Sequence, residues 1–341
     1  MLCGYAFDGK NIVEQGTYLL MRGINITEGI IRHSSELDRY YTGSVNNLAK
    51  YKLTTGDLVI GMDGSKVGRN SAIVSLTENG SYLVQRVCRI KSCIGNDFLL
   101  QLMNNHKFHK YVDIVKTSSA IPHISLKDIQ NFPIAVPSIQ KEADKISRLF
   151  HLLDERIATQ NKIIDKLQSL IKGIADKLFQ TARTTKPLLE FAPNITSGTD
   201  KSGSGTIPLY GSTGIIGTVK NASQKGNIVL VARVGTIGTV QYVNEPCGVS
   251  DNALIVEAGE MTKYIYHFLK TYNFTRITSG TTQPLITASS LKKAAIPTYD
   301  IESQTRIVLC LNGLEKKLDM AKQYLSDIAV MKQYLLRQMF I

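Results

Sequence analysis

The chain has 341 residues, of which 43% are hydrophobic and 20% charged, the balance of a packed globular protein with room for two domains. It has no run of eighteen apolar residues, which excludes a transmembrane helix, and its start, MLCGYAFDGKNIVEQG, lacks the basic-then-apolar order of a secretory signal. Forty Lys and Arg against 28 Asp and Glu leave a net charge of +12, an excess that favours nucleic acid, an anionic membrane or an acidic partner.

In chain order, short strand-like runs come first: TYLLMRG, GDLVIGM, NSAIVSL and SYLVQRV, broken by Gly, Asn and Ser. A helical run, FLLQLMNNHKFHKYV, follows. A long amphipathic segment then occupies about residues 138–182, and the stretch TARTTKPLLEFAP leads onward. The second half repeats the order, with GNIVLVARV, GTVQYV and NALIVEA, a helical run MTKYIYHFLKTYN, and a second long amphipathic segment from about 298 to 341. Mixed or antiparallel sheet with short helices places both globular parts in the α+β class.

The two halves resemble each other in detail. Gly56-Asp-Leu-Val-Ile recurs 170 residues later as Gly226-Asn-Ile-Val-Leu, and Val67-Gly68 recurs as Ile237-Gly238. SSAIPHISLKDIQNFPIAVPS resembles SGTTQPLITASSLKKAAIPT; in each, one proline (Pro122, Pro284) precedes an apolar-polar segment and a second (Pro137, Pro297) is expected to open a helix. The expected boundaries are 1–136 and 184–296 for the globular domains, with helical segments at 137–183 and 297–341.

Those helical segments carry the strongest periodicity. The first has a seam of Ile146, Leu149, Leu153, Ile157, Ile164, Leu167, Ile171, Ile174 and Leu178, with Gln160 as its polar member. The second has Ile307, Leu311, Leu314, Leu318, Ala321, Leu325, Ile328, Leu335 and Met339, with Lys332 on it. Alternating steps of three and four over about five heptads make a coiled-coil seam. At an offset of 161, Ile146 matches Ile307, Asp154 matches Glu315 and Phe179 matches Phe340. The plainer reading is that each helix packs only on its own domain. If the helices instead pair antiparallel, about 42 residues would hold two domains about 63 Å apart, a span longer than one duplex turn and suited to two separated half-sites.

The whole chain resembles the specificity subunit of type I restriction-modification systems. The likeness rests on FPIAVPSIQKEADKISRLFHLLDERIATQNKIIDKLQSLIKGIADKLF and AAIPTYDIESQTRIVLCLNGLEKKL at the boundaries. GYAFDGKNIVEQGTYLLMRGINITEG and GDLVIGMDGSKVGR carry it in the first domain, and GTIPLYGSTGIIGTV, GNIVLVARVGTIGTV and SGTTQPLIT in the second. The chain departs from the family in starting closer to GYAF, and in having IESQTRI in place of a proline-rich phrase ending Glu-Gln. The resemblance implies a non-catalytic protein whose two target recognition domains each read one part of a bipartite double-stranded DNA sequence. Its helices would form an antiparallel coiled coil and dock two methyltransferase subunits, with a motor-nuclease subunit joining in the restriction complex. The protein itself would need no cofactor, since S-adenosylmethionine belongs to the methyltransferase partner.

Few residues suggest chemistry of their own. There is no Gly-x-x-x-x-Gly-Lys-Ser/Thr loop, no Asp/Asn-Pro-Pro-Tyr/Phe segment and no Gly-x-Ser-x-Gly elbow, and GSGSGT near Gly203 lacks the lysine of a phosphate loop. The spacings of His106 with His109 and of Cys88 with Cys93 do not make paired chelating turns, so no metal is expected. Cys3, Cys88, Cys93, Cys247 and Cys310 are scattered, which fits free thiols in a reducing, cytoplasmic setting.

The candidate DNA contacts are loop residues. Lys66 and Arg69 follow the repeated strand in the first half, and Arg233 and Thr236 follow it in the second. Arg22 and Asn25, then Tyr210, Ser212 and Thr213, follow an earlier strand in each half, while Arg276, Thr281, Thr282 and Gln283 lie near TSGTTQP. Arginine can fork onto guanine or phosphate, glutamine suits adenine edges, and hydroxyls serve either more weakly. For each of them the alternative is a turn or sheet-rim residue. Gly64, Gly68, Gly235 and Gly238 are expected as turn formers. The rival function is a cytoplasmic scaffold with dimerising helices, followed by an enzyme with an unrecognised metal-free site.

Overall fold

A computed structural model describes residues 1–280 and 284–340. The chain divides into two compact units, Met1–Gln160 with Tyr324–Ile341, and Asn161–Gln323.

The first unit contains β1 (Leu2–Cys3), β2 (Ile12–Val13), β3 (Tyr18–Met21), β4 (Tyr40–Tyr41), β5 (Leu58–Gly61), β6 (Ser71–Ile73), β7 (Tyr82–Leu83) and β8 (Val87–Ile90). Helices α1 (Asn96–Met103), α2 (His106–Val115) and α3 (Leu126–Asn131) follow, and α4 (Gln140–Gln180) begins here. The strands form two sheets, ordered β1-β8-β5-β6 and β2-β4-β3-β7. β5 lies between β6 and β8, antiparallel to both, and all four of its residues are buried. Its unbroken apolar run suits a strand covered on both faces.

The second unit repeats this arrangement. Its elements are β9 (Thr184–Pro187), β10 (Thr196–Ser197), β11 (Ile207–Tyr210), β12 (Ile215–Val219), β13 (Ile228–Ala232), β14 (Val240–Val243), β15 (Gly248–Val249), β16 (Ala253–Val256), α5 (Thr262–Thr271), β17 (Thr278–Ser279), β18 (Leu285–Ile286), α6 (Ala288–Lys292), β19 (Ala295–Thr298) and the start of α7 (Ile301–Met339). The sheet β10-β16-β13-β14 has the order of β1-β8-β5-β6. In each unit's other main sheet one pair is parallel, β3 with β7 and β11 with β15. Gly56 and Gly226, which precede the two central strands, both have left-handed φ, 87° and 98°. A residue with a Cβ would be strained there, so these turns fix where each strand begins.

The short helices before the long ones both carry an N-terminal capping box. Ser125 and Asp128 form a capping box on α3, and Thr287 and Ser290 form one on α6. The long helices start at Gln140 and Ile301, a few residues beyond the prolines expected to open them. Pro297 belongs to β19, in keeping with proline's bias of the preceding residue toward extended backbone.

Within the first unit the start of α4 meets the end of α7, running antiparallel. Phe150 lies 5.8 Å from Phe340 between ring centres, Asp154 pairs with Lys332, and Arg156 Nε donates to Tyr324 Oη at 3.3 Å. Within the second unit the last turns of α4 bury Ala175 and Phe179 in one cluster with Ile307 and Leu311 from the first turns of α7. Thus the chain forms two α+β units, each closed by an antiparallel pair of long-helix segments.

Most seam residues are buried or half-buried: Ile146, Ile164, Ile307, Leu311 and Ile328 fully, and Leu153, Ile157, Leu167, Ile171, Ile174, Leu178, Leu314, Leu318, Leu325 and Leu335 in part. Leu149 and Met339 depart from the expected seam, at 38% and 37% exposed. Phe150, Leu336 and Phe340 are buried beside them instead. There the helices also pack on α1, whose Phe98 ring is 5.2 Å from that of Phe340. An α-helix drifts about 20° per heptad from a strict seven-residue repeat, and a second neighbour turns the buried stripe toward itself.

Candidate nucleic-acid interface

In the first unit three segments converge at one end of the β1-β8-β5-β6 sheet: the β5–β6 loop, the segment after β3, and the segment before α3. Gly64 N–H donates to the Pro122 carbonyl at 3.0 Å, Ile124 N–H to Met62 at 3.0 Å, and Gly29 N–H to Ser71 at 2.8 Å. The β5–β6 loop also presses on α2 at Gly68, whose φ is 74° and whose added Cβ would sit 2.7 Å from a Val112 methyl.

The cations of this loop are paired, but only at the surface. Lys66 Nζ lies 3.3 Å from Glu28, and Arg69 Nη2 lies 3.1 Å from Asp113, with all four side chains well exposed. Such pairs are worth only ~0–1 kcal/mol in water, so a phosphate can replace either carboxylate. Arg22 has no side-chain hydrogen bond or ion pair among the described residues.

Asn25 does not offer itself to a ligand. It is buried, and its Nδ2 donates to Arg32 O at 3.2 Å and Asp38 Oδ1 at 3.0 Å. His33 continues the network, with Nδ1 3.1 Å from Asp38 and Nε2 2.9 Å from Glu78. An Asn four residues past an apolar strand reads the same in sequence whether it faces solvent or ties down its own loop. Here the loop 26–38 folds back over it.

Arg86 was absent from the sequence-based candidates. It has left-handed φ, 67°, and its Nε lies 3.7 Å from Asp63 in the β5–β6 loop. Its carbonyl accepts from Met62 N–H at 2.9 Å. The motif VQRV carries no turn residue to flag that bend.

The second unit builds the same end from the corresponding loops. Arg233 sits at the junction: its N–H donates to Asn252 at 3.0 Å, and its carbonyl accepts from Ile286 at 3.0 Å. Its half-buried side chain has no hydrogen bond or ion pair among the described residues, and neither does that of exposed Arg276. Gln241 Nε2 donates to Gly211 O at 2.9 Å and Ser212 O at 3.3 Å, which holds the loop of Ser212 and Thr213 beside the β13–β14 loop. Exposed Thr236 lies on that loop, and its carbonyl accepts from Thr239. Gly238, φ 79°, meets Phe274 as Gly68 meets Val112.

Tyr210 is committed to Glu245, to which its hydroxyl donates at 2.7 Å. Burial, reinforced by that carboxylate, pushes its pKa up to about 12, so it remains a neutral donor. Thr281, Thr282 and Gln283 lie outside the described residues. The result in each unit is a sheet end where three or more loops are fixed by main-chain bonds and present cations. Such an end offers main-chain and cationic donors at fixed spacings.

Residues 2–169 and again 185–329 match the sequence family described as the type I restriction modification DNA specificity domain. The chain belongs to that family. Among solved structures, this specificity-family chain is similar to one titled as the S subunit of a type I restriction-modification system from M. genitalium, at 17% identity and TM-score 0.68, covering 100% of this chain and 93% of the other. A second, titled for complex assembly and conformational transition of the type I system, has 14% identity and TM-score 0.58 and covers 99% and 94%. At these identities the likeness is one of fold. A search of curated protein sequences returned no match. Among the described residues no helix is long and apolar enough to cross a membrane, no group of three or more His, Cys, Asp or Glu is placed to hold a metal, and the five cysteines are free.

Proposed function

We propose that this specificity-family chain is the DNA-recognition subunit of a type I restriction-modification complex and reads a bipartite target, one half-site per unit. The observation that carries this reading is the repeat itself. Two units with the same sheet order end in matching loops whose outward residues differ: Lys66 and Arg69 in one, Arg233 and Thr236 in the other. A shared frame with divergent loop chemistry suits two readers of different sequences. Direct readout needs side chains at groove depth, while phosphate contacts set position.

On this reading the chain does no chemistry, and methyl transfer with its S-adenosylmethionine belongs to two docked methyltransferase subunits. A motor-nuclease subunit joins in the restriction complex. Outward apolar side chains on the long helices support docking: Leu152, Met331 and Tyr334 in the first unit, and Ile163, Leu170 and Met320 in the second. These lie off the buried seam, where a partner can reach them.

The test is methylome sequencing of cells expressing the chain with its methyltransferase. A bipartite methylated motif is expected, and a continuous motif or none would overturn the reading. Binding of the complex to its target should also fall steeply with salt, by counterion release. A scaffold binding only proteins would show no such dependence.

A further inference from the structure

In the first unit the segment before α3 is a tight hairpin. Thr117 N–H donates to the His123 carbonyl at 3.0 Å, His123 N–H donates to Thr117 Oγ1 at 3.0 Å, and Ser119 Oγ donates to the Ile121 carbonyl at 2.7 Å. Asp63 of the β5–β6 loop pairs with His123 as an antiparallel bridge, and Ile124 is buried where the hairpin meets the core. At the tip these bonds hold Ile121 64% exposed. An isoleucine held out in water on fixed backbone adds no burial to the core.

The second unit builds the base of the same hairpin. At an offset of 162, Thr117, Pro122, Ile124 and Ser125 match Ser279, Pro284, Ile286 and Thr287. Ser279 pairs with Leu285 across β17 and β18, as Thr117 bonds His123. Ile286 N–H donates to the Arg233 carbonyl, as Ile124 N–H donates to Met62. Ile124 and Ile286 are both buried, and Ser125 and Thr287 both cap the helix that follows. The anchors thus agree, while the residue before the proline differs: Ile121 in one half and Gln283 in the other. A position that changes chemistry on a constant frame suits base readout, which must differ between two half-sites.

We propose that Ile121 is a specificity residue that reads a thymine of the first unit's half-site through its C5-methyl group; this rests on the reading of the chain as a DNA-recognition subunit. The thymine methyl is an apolar mark in the major groove that an aliphatic side chain can contact. Isoleucine suits the task because its β-branch leaves few rotamers to freeze, and the proline after it disfavours helical backbone at its position. Gly64 N–H donates to the Pro122 carbonyl, so the residue next to Ile121 is bound to the loop that carries Lys66 and Arg69. Phosphate contacts from those cations set the register, and Ile121 supplies the base contact beside them. Glutamine at the matching position suits an adenine edge, so one hairpin position serves apolar readout in one unit and polar readout in the other.

The test uses the full chain in complex with its methyltransferase, and fluorescein-labelled duplexes of its methylated motif, followed by anisotropy at one fixed salt concentration. Each thymine of the motif is replaced in turn by deoxyuridine, which deletes the methyl group and keeps the base pair. One such replacement should weaken binding about fourfold, the worth of one buried methyl group. That loss should persist in Ile121→Val and vanish in Ile121→Ala. Leu76→Ala, which trims an 82% exposed side chain beyond the opposite end of β5, should leave it in place. All three variants change exposed side chains and should keep the parent's thermal melt. No thymine sensitive to deoxyuridine, a sensitivity that survives Ile121→Ala, or one that Leu76→Ala also removes would each overturn the proposal while the bipartite motif stands. A missing bipartite motif would overturn the recognition reading itself, and this proposal with it.

Discussion

Gln101 Nε2 donates to Asp154 Oδ2 at 3.2 Å, joining a helix of the first globular domain to the long helix α4. Lys332 of α7 binds the other oxygen of the same carboxylate. The second unit has its own version: Glu315, which matches Asp154 in the repeat, accepts from Lys270 of α5, and His267 bonds Asn312 at 2.9 Å. In both units one carboxylate on a long helix is tied to the domain that the helix closes.

Asp154→Ala should therefore loosen the first unit. It leaves the largely buried Lys332 ammonium and Gln101 amide without an acceptor. Asp154 is itself partly exposed, so the cost should be about 1–2 kcal/mol. Urea denaturation measures it, and Asp154→Ala with Lys332→Met should recover most of the loss.

The loop 26–38 should be held best in mildly acidic solution. Burial alone would lower the His33 pKa, but the hydrogen bonds to Glu78 and Asp38 outweigh it and raise it above the ordinary 6.5. Burial would raise Glu78, but Ser75 and His33 outweigh that and hold it below 4.5. A raised histidine contributes below its unfolded value and loses that contribution as pH rises through its folded value; a lowered carboxylate contributes above its unfolded value and loses it as pH falls. The window is thus about pH 5–6.5. Amide exchange in residues 26–38, corrected for intrinsic rate, should be slower at pH 6 than at pH 8. His33→Phe should abolish the difference.

Gly68→Ala and Gly238→Ala should each cost about 2 kcal/mol, from left-handed strain plus contact with Val112 or Phe274. Gly64→Ala, at φ 92° with open space around it, should cost nearer 1 kcal/mol. Thermal melts of the three variants rank them directly.

Exchanging residues 184–298 for the matching segment of a relative should change one half-site of the methylated motif and leave the other intact. Those limits keep β9 and β19 together, so the graft carries both strands of that pair. If both half-sites change, the units are not independent readers. Lys66→Ala, by contrast, should weaken binding across sequences alike and reduce the salt slope by about one.

The repeat and both long helices were legible because they rest on periodicity and spacing. The offset of 170 placed Gly56 and Gly226 at the same turn, and the step of three and four located α4 and α7. The seam failed at Leu149 and Met339 because heptad counting knows only the partner helix, whereas α1 also packs there. Asn25 and Arg86 were hidden for another reason. Whether a polar loop residue faces outward or bonds its own loop depends on distant partners, Asp38 and Asp63, which local sequence does not reveal.

The burial of Phe340 against Phe98 and Phe150 bears on how the protein is made. The first unit's core takes in a ring near the far end of the polypeptide, so that unit cannot finish folding when its own sheets leave the ribosome. At roughly 5–20 residues per second, the intervening stretch from 161 to 323 takes about ten seconds or more to synthesise. Throughout that interval the hydrophobic ledge of α1 and α4 stands open, and the unit synthesised first is completed last.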